Sequence, residues 1–286
     1  MTAFPIVEGL FDPATHTLTY IVADPATGRA VVIDPVLDYD QATGRTSTGS
    51  LETVLARIAE RGWTLDRVLE THAHADHLTG AHEIKVRIGV PVGVGGRIGE
   101  VQATFAPVFE AQGATPEAFD VLYADGDRFA LGELTVEVLH TPGHTPACVS
   151  YVIGDAVFVG DTLFMPDYGS ARCDFPGGDA RTLYRSIHRI LALPEDTRVF
   201  VGHDYLPEGR TDFRWETTVA AQKADNIHVG GGRGEDDFVA IRQARDATLK
   251  APTLLLPALQ VNIRAGRLPP PEPSGRRYLK IPLKAG

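Results

Sequence analysis

Cysteine is almost missing from this sequence: 286 residues carry only Cys148 and Cys173. Two thiols cannot build a disulfide framework. A chain of this length can bury a sufficient core without disulfides or a structural metal. Scarce cysteine fits a reducing compartment, and Met1-Thr2-Ala3-Phe4-Pro5 shows no basic region followed by an apolar stretch, so a cytoplasmic protein is expected. Long apolar runs are missing too. None approaches the ~20 residues of a membrane span, so no membrane association is expected. Positive charge is in deficit, with 27 Lys and Arg against 37 Asp and Glu, a net charge of −10. An acidic surface repels phosphate backbones and argues against nucleic acid as a partner. It does not exclude a small anionic substrate, because a local basic patch can override the global sign.

What the sequence does contain is alternation. Leu18 to Val22 and Ala30 to Asp34 are short β-branched runs separated by Asp24-Pro25-Ala26-Thr27-Gly28, the pattern of a hairpin. Asp38 to Gly49 shows no periodicity and reads as a polar loop. Leu51, Val54, Leu55 and Ile58 fall at helical spacing, with Ser50 as N-cap and Gly62 as stop. Arg67 to Thr71 reads as a strand, His77 to Ile88 as a helix, and Val90 to Val92 as a short strand. Further strands are expected over Leu134–Leu139, Val149–Ile153, Ala156–Val159 and Arg198–Val201. Helices are expected over Ala180–Leu191, Trp215–Ala224 and Asp236–Leu249. Gly93 to Gly99 does not fit G-x-G-x-x-G in register, and Gly230 to Gly234 follows no strand; both read as flexible loops rather than phosphate cradles. The run Leu268-Pro269-Pro270-Pro271-Glu272-Pro273 cannot be regular structure. The division expected is a catalytic unit over residues 1–265 and a Pro-rich tail over 266–286. Two mixed sheets face to face with helices outside would bury these apolar strands, an α/β (α+β) architecture.

The chemistry sits at strand ends. Thr71-His72-Ala73-His74-Ala75-Asp76-His77 places three imidazoles and a carboxylate within six residues, directly after a strand. Imidazole suits zinc, iron and nickel, and a carboxylate adds charge and an oxygen ligand. In an extended segment His72 and His74 point to one side, and the following turn brings Asp76 and His77 to a neighbouring position. His144, Asp161 and His203 each follow an apolar strand as well. Parallel or mixed sheets gather such ends along one edge, where sites are built. His16, His82, His140, His188 and His228 have no ligand spacing.

The His-x-His-x-Asp-His segment, followed by His144, Asp161 and His203, resembles the metallo-β-lactamase superfamily over about the first 205 residues. The resemblance implies a four-layer αββα sandwich. It implies one metal position at His72, His74 and His144, a second at Asp76, His77 and His203, and a bridging Asp161. Within the superfamily, Val32 to Asp40, Ser170-Ala171-Arg172-Cys173-Asp174-Phe175, Gly202-His203-Asp204-Tyr205 and Ala258 to Asn262 are similar to bacterial glutathione-dependent persulfide dioxygenases.

That resemblance implies a single Fe(II) on His72, His144 and Asp161, with His74, Asp76, His77 and His203 orienting them. It implies oxidation of glutathione persulfide by O2 and water to sulfite and glutathione, with Thr145, Arg172 and Tyr205 as thiol-carrier contacts, and suggests a homodimer. Arg172 suits a carboxylate because its guanidinium donates two parallel hydrogen bonds; the alternative is an ion pair with Asp174. Cys148 reads as a small buried hydrophobe, and Cys173 as either a pocket-lining or a packing residue. Two other functions stay open. One is a thioester hydrolase with two metals, zinc in place of iron, resembling glyoxalase II, in which metal-bound water attacks the thioester. The other is a non-catalytic sulfur-species binding protein.

Overall fold

The computed structural model describes residues 4–283. The first half of the chain contributes β1 (Ile6–Asp12), β2 (Thr17–Ala23), β3 (Arg29–Ile33), β4 (Val36–Asp40), β5 (Arg45–Ser47), α1 (Gly49–Glu60), β6 (Thr64–Leu69), β7 (Leu78–Thr79), α2 (Ala81–Ile88), β8 (Val92–Gly95), α3 (Ile98–Phe109) and β9 (Val121–Tyr123). The second half contributes β10 (Arg128–Leu131), β11 (Leu134–His140), β12 (Val149–Ile153), β13 (Ala156–Phe158), α4 (Ala180–Leu191), β14 (Arg198–Phe200), β15 (Glu216–Thr218), α5 (Val219–Asp225), α6 (Glu235–Asp246) and α7 (Leu255–Asn262).

Strands β1-β2-β3-β6-β8-β9 form one sheet and β10-β11-β12-β13-β14-β15 a second, with a small third sheet of β5-β4-β7. Alternation along each strand decides which layer a residue joins. On β2, Leu18, Tyr20 and Val22 enter the core between the sheets, with Val136, Tyr151 and Phe158 from the other side. Ile21 and Ala23 face the opposite way, onto Leu51, Val54 and Ile58 of α1 and Ile84 of α2. The outer face of the second sheet packs Val157 and Val199 against Leu183, Ile187 and Ile190 of α4 and Phe238 of α6. The result is the four-layer αββα sandwich.

Topology then sets where the site lies. β3 pairs with β6 in parallel, and β13 with β14 in parallel. β11 and β13 are each antiparallel to β12 and so run the same way. The segments leaving these strands emerge along common edges, and they carry Asp34, His72 to His77, His144, Asp161 and His203.

Several expectations are corrected. Asp38 to Gly49 is not a loop: β4 and β5 pair with each other, and Asp38 accepts hydrogen bonds from the Ser50 hydroxyl (2.5 Å) and Ser50 N (3.2 Å), capping α1. Thr48, not Ser50, holds the N-cap position. The helix expected from His77 begins at Ala81, because Leu78 and Thr79 pair with Leu37 and Val36. The front of the Trp215–Ala224 segment is taken by β15, which completes the second sheet against β14. Gly93 and Gly95 lie in the buried strand β8, where a side chain at Gly95 would strike the Ala147 carbonyl oxygen. Helix α3 had no sequence expectation, and α7 falls in the C-terminal stretch expected to be mostly helical without being delimited there; each carries a proline, Pro107 and Pro257.

Residues 267–283 contain no helix or strand. They nonetheless return to the body, where the Gln260 amide exchanges hydrogen bonds with the backbone of Lys280 (2.9 and 2.7 Å). No helix among the described residues is long and apolar enough to cross a membrane.

His228 tests the packing under the second sheet. Its Nδ1 accepts hydrogen bonds from Ser170 N (2.9 Å) and Oγ (3.0 Å). Burial, reinforced by Arg242, Arg245 and Arg233, pushes its pKa down to about 4. A folded pKa below the unfolded value of about 6.5 means stability that is complete above pH 6.5 and is lost as pH falls through 4. Denaturant midpoints measured from pH 7 to pH 4 should fall more steeply for the native sequence than for His228→Asn, whose amide oxygen accepts the same bonds without titrating. The expected difference approaches about 3 kcal/mol; parallel curves would show that His228 is not buried as the neutral form.

Candidate metal centre

The site is assembled from the backbone outward. Asp34 leaves β3 with a left-handed φ of 50°, a conformation that Asp tolerates better than most residues. Its carboxylate accepts hydrogen bonds from Thr71 N (2.8 Å) and Thr71 Oγ1 (2.7 Å), and one oxygen lies 3.0 Å from His74 Nε2. Glu70 approaches the same nitrogen at 3.4 Å and accepts a hydrogen bond from the Thr79 hydroxyl. From the far side Asn262 of α7 donates to the carbonyls of His74 (2.8 Å) and His77 (2.7 Å) and accepts from Thr79 N (2.9 Å). The Thr71–Thr79 segment is thus fixed by two side chains from distant parts of the chain, Asp34 and Asn262, and by Glu70 directly before it.

The ligand-type side chains gather into three groups, of which Asp34, Glu70 and His74 make the most deeply buried and the other two adjoin the cavity. His72, His144 and Asp161 each bring a donor atom within 4.8 Å of the others, and so do His74, Asp76 and His203. Asp161 lies between these last two groups, with one oxygen 3.6 Å from His144 Nε2 and the other 3.2 Å from His203 Nε2. His77 stacks obliquely on His74, ring centroids 4.3 Å apart.

Each imidazole is tied through one nitrogen. His144 Nδ1 donates to Arg172 O at 2.7 Å and His203 Nδ1 to His16 O at 3.2 Å. His72 Nδ1 meets Thr71 Oγ1 at 3.0 Å, and His77 Nδ1 meets Asp76 Oδ2 and Thr17 Oγ1 at 3.3 Å each. His72 Nε2, His77 Nε2, His203 Nε2 and both nitrogens of His74 are buried without a well-formed hydrogen bond, as is Asp161 Oδ1, although His74 Nε2 lies 3.0 Å from Asp34. So many orphaned polar atoms in one place are costly unless something binds them. Imidazoles held by an outer acceptor, beside a carboxylate, are the donor set of a transition-metal site. The residues fit a metal.

Electrostatics differ between the groups. Burial, with His74 nearby, pushes the His72 pKa well down, so it is the neutral form that a ligand must be. Burial opposes ionisation of Asp161, but His203, His144 and His72 hold it far below the usual carboxylate range. Burial also opposes a charge on His203, yet Asp76 and Asp161 raise its pKa to about 9. Burial pushes Glu70 up to about 7, with Asp34 adding to the effect.

A cavity of about 530 Å³ opens over Asp161 and His144, walled by Phe164, Tyr168, Arg172 and Tyr205 among others. Tyr205 stacks on His203 at 5.4 Å and 18°. Thr145 lies off this cavity in a small cleft with Phe175, its hydroxyl 3.1 Å from Cys148 Sγ. Arg172 reaches the cavity with its fork on Asp174 (2.6 and 2.7 Å) and its remaining amino group on Lys250 O (2.7 Å). Cys173 does not line the cavity. It faces a separate depression beside Asp246, and burial pushes its thiol up to about 12. Cys148 is buried as expected, its thiol also pushed up to about 12. Asp34, Glu70 and Asn262 had no assigned role; an acid within the last two residues of an expected strand was the available signal for the first two.

This fold and this set of donors define a class. The chain belongs to the metallo-β-lactamase superfamily, whose family model matches residues 12–203. Among individual proteins, it is 52% identical over 292 residues to a probable metallo-hydrolase of Burkholderia pseudomallei, covering 98% of this chain and 99% of that one. It is 49% identical over 270 residues to glyoxylase B2 of Dictyostelium discoideum, covering 92% and 91%. It is 34% identical over 203 residues to the human mitochondrial persulfide dioxygenase ETHE1, covering 70% and 68%. The crystal structure of ETHE1 from Myxococcus xanthus superimposes with a TM-score of 0.74 at 34% identity, covering 92% of this chain and all of that one.

The turn before His144 gives a test. Gly143 has φ of 136°, and a Cβ there would lie 2.3 Å from Leu183 Cα. Gly143→Ala must push α4 and the His144 loop apart. It should lower stability by about 3 kcal/mol and reduce the metal bound per chain, measured by denaturation and elemental analysis. Native stability with native metal content would refute this role for the turn.

Proposed function

We propose that the protein is a non-heme Fe(II) persulfide dioxygenase, with one iron per chain on His72, His144 and Asp161. The observation that carries the reading is this two-His, one-carboxylate group, of which His144 and Asp161 face an aromatic-walled cavity of about 530 Å³ while His72 lies buried beside them. Two imidazoles and one carboxylate would hold Fe(II) and leave positions free for both a substrate and O2. The likeness to persulfide dioxygenase ETHE1 in sequence, and to a solved ETHE1 in fold, supports the same reading. Glutathione persulfide, O2 and water would give glutathione, sulfite and two protons. When bound, Fe(II) would supply the electrons that make ground-state O2 reactive, which zinc cannot.

The chain's own residues would do the rest. Arg172 O holds the proton of His144 on Nδ1 and so leaves Nε2 free. Thr71 Oγ1 does the same for His72. His74, His77 and His203 orient the centre from its buried side, and Asp76, which also faces the cavity, does so through His77 and His203. Tyr205, Phe164 and Tyr168 limit water in the cavity and offer apolar surface to a sulfur chain. Thr145, Arg172 and Tyr205 are the proposed contacts of the thiol carrier. The donors of Arg172 are engaged by Asp174 and Lys250 O, so a substrate carboxylate would have to displace Asp174. Arg245 and Lys250 also line the cavity and supply the positive charge that an anionic carrier needs. The catalytic unit is taken as residues 1–265 and the Pro-rich tail as 266–286, in a reducing cytoplasm that keeps both cysteines free.

A second reading has its own support: His74, Asp76 and His203 form a second donor group, and a relative of 49% identity is named a glyoxylase. Two metals would then activate water against a thioester. Oxygen separates the two readings. Protein purified without air and loaded with Fe(II) should consume O2 when given glutathione persulfide, with one sulfite formed per O2. His144→Ala and Asp161→Ala should reduce the rate at least about 100-fold. A fully iron-loaded sample that takes up no O2 yet hydrolyses thioesters under nitrogen would replace the first reading with the second.

A further inference from the structure

The carbonyl that fixes His144 belongs to a loop, and a loop alone cannot hold a carbonyl to a few tenths of an ångström. Two residues of α6 bracket it. Arg242 Nη1 donates to Ser170 O at 2.8 Å, two residues before Arg172. Asp246 Oδ2 accepts from Cys173 N at 3.0 Å, one residue after it. The two side chains are joined, Arg242 Nε and Nη2 reaching Asp246 Oδ1 at 3.0 and 2.7 Å. Arg242 is 2% exposed and Asp246 6%. A buried ion pair is seldom the most stabilising choice, because desolvation offsets most of its attraction. Here two of its remaining hydrogen bonds go to the backbone groups that flank the carbonyl accepting His144 Nδ1–H, and a third, weaker one comes from the Cys173 thiol to Asp246 Oδ2 at 3.4 Å. Helix α6 also lies beyond residues 12–203, the part matched by the family model.

We propose that Asp246 and Arg242 are positioning residues for the metal centre, acting through Ser170 O and Cys173 N on Arg172 O, and through that carbonyl on the orientation and tautomer of His144. The inference rests on His144 as a metal ligand, and not on which reaction the metal serves.

The test is a double-mutant cycle on the full chain, read as Co(II) affinity by chelator competition and as the visible absorption of bound Co(II). Asp246→Ala, one step removed from the outer partner of His144, should weaken Co(II) about 10-fold, the lower end of the effect of losing such a partner itself, and shift the absorption bands. In a His144→Ala background the same change should cost less than about twofold, since the bond it protects is already gone. Native affinity and spectrum in Asp246→Ala would overturn the proposal. An equal loss in both backgrounds would overturn it too, because that is general loosening of the fold. If Asp246→Ala does not fold, Arg242→Lys, which keeps the charge and loses the bond to Ser170 O, is judged by the same criteria. His144→Ala with unchanged affinity would remove the metal reading of His144 itself, a failure visible without any variant of α6.

Discussion

Asp34 stands where β3 leaves the first sheet, and its buried carboxylate extends the β3–β6 pairing beyond the strand ends, onto the histidine segment that follows β6. It binds the backbone and hydroxyl of Thr71, at the exit of β6, and faces His74 three residues further on. Its own carbonyl accepts the Thr19 hydroxyl of β2. A carboxylate taken out of water is costly unless it is paired and hydrogen-bonded, and this one is both. The histidine segment therefore cannot relax without stranding a buried charge, a loss of about 3–5 kcal/mol. The left-handed backbone at Asp34 is part of the same constraint, since it turns the side chain back toward β6.

From there the design repeats one device. Every imidazole of the centre gives one ring nitrogen to a fixed acceptor or carboxylate, and the other nitrogen faces its neighbours. Thr71, Asp34, Arg172 O and His16 O come from four separate segments. Their common effect is to settle tautomer and ring orientation before any ligand arrives, so that the orphaned atoms form a cage rather than a collapsed hydrogen-bond network. The cost of leaving those atoms unpaired is carried by the four-layer core around them.

The C-terminal helices matter more to this centre than their distance along the chain suggests. Asn262 of α7 holds the carbonyls of His74 and His77, and the Arg242–Asp246 pair of α6 reaches the loop behind His144. Both are buried polar groups with well-satisfied hydrogen bonds, the kind of network that specifies one arrangement rather than adding much stability. The same region lines the cavity with Arg245, Leu249 and Lys250, so support for the metal and contact with the substrate come from one stretch of chain.

The sequence by itself determined the sandwich and singled out the candidate donors. Apolar runs with period two and helices such as Ala180–Leu191 announce themselves locally, and imidazoles placed directly after strands carry their chemistry with them. It also showed Cys148 as a core residue. It did not reveal β4 and β5, because Asp38 and Asp40 look like loop residues until Asp38 is seen capping α1. It did not reveal α3 and did not delimit α7, each of which carries a proline. Nor could it assign Asp34, Glu70 and Asn262, since each acts on a partner that the fold brings close: Asn262 lies 188 residues from His74. Which donors group with which, that the fork of Arg172 rests on Asp174, and that Cys173 faces away from the cavity were decided by tertiary structure alone. Local pattern fixes what a residue can do, and only the packing of distant segments fixes what it faces.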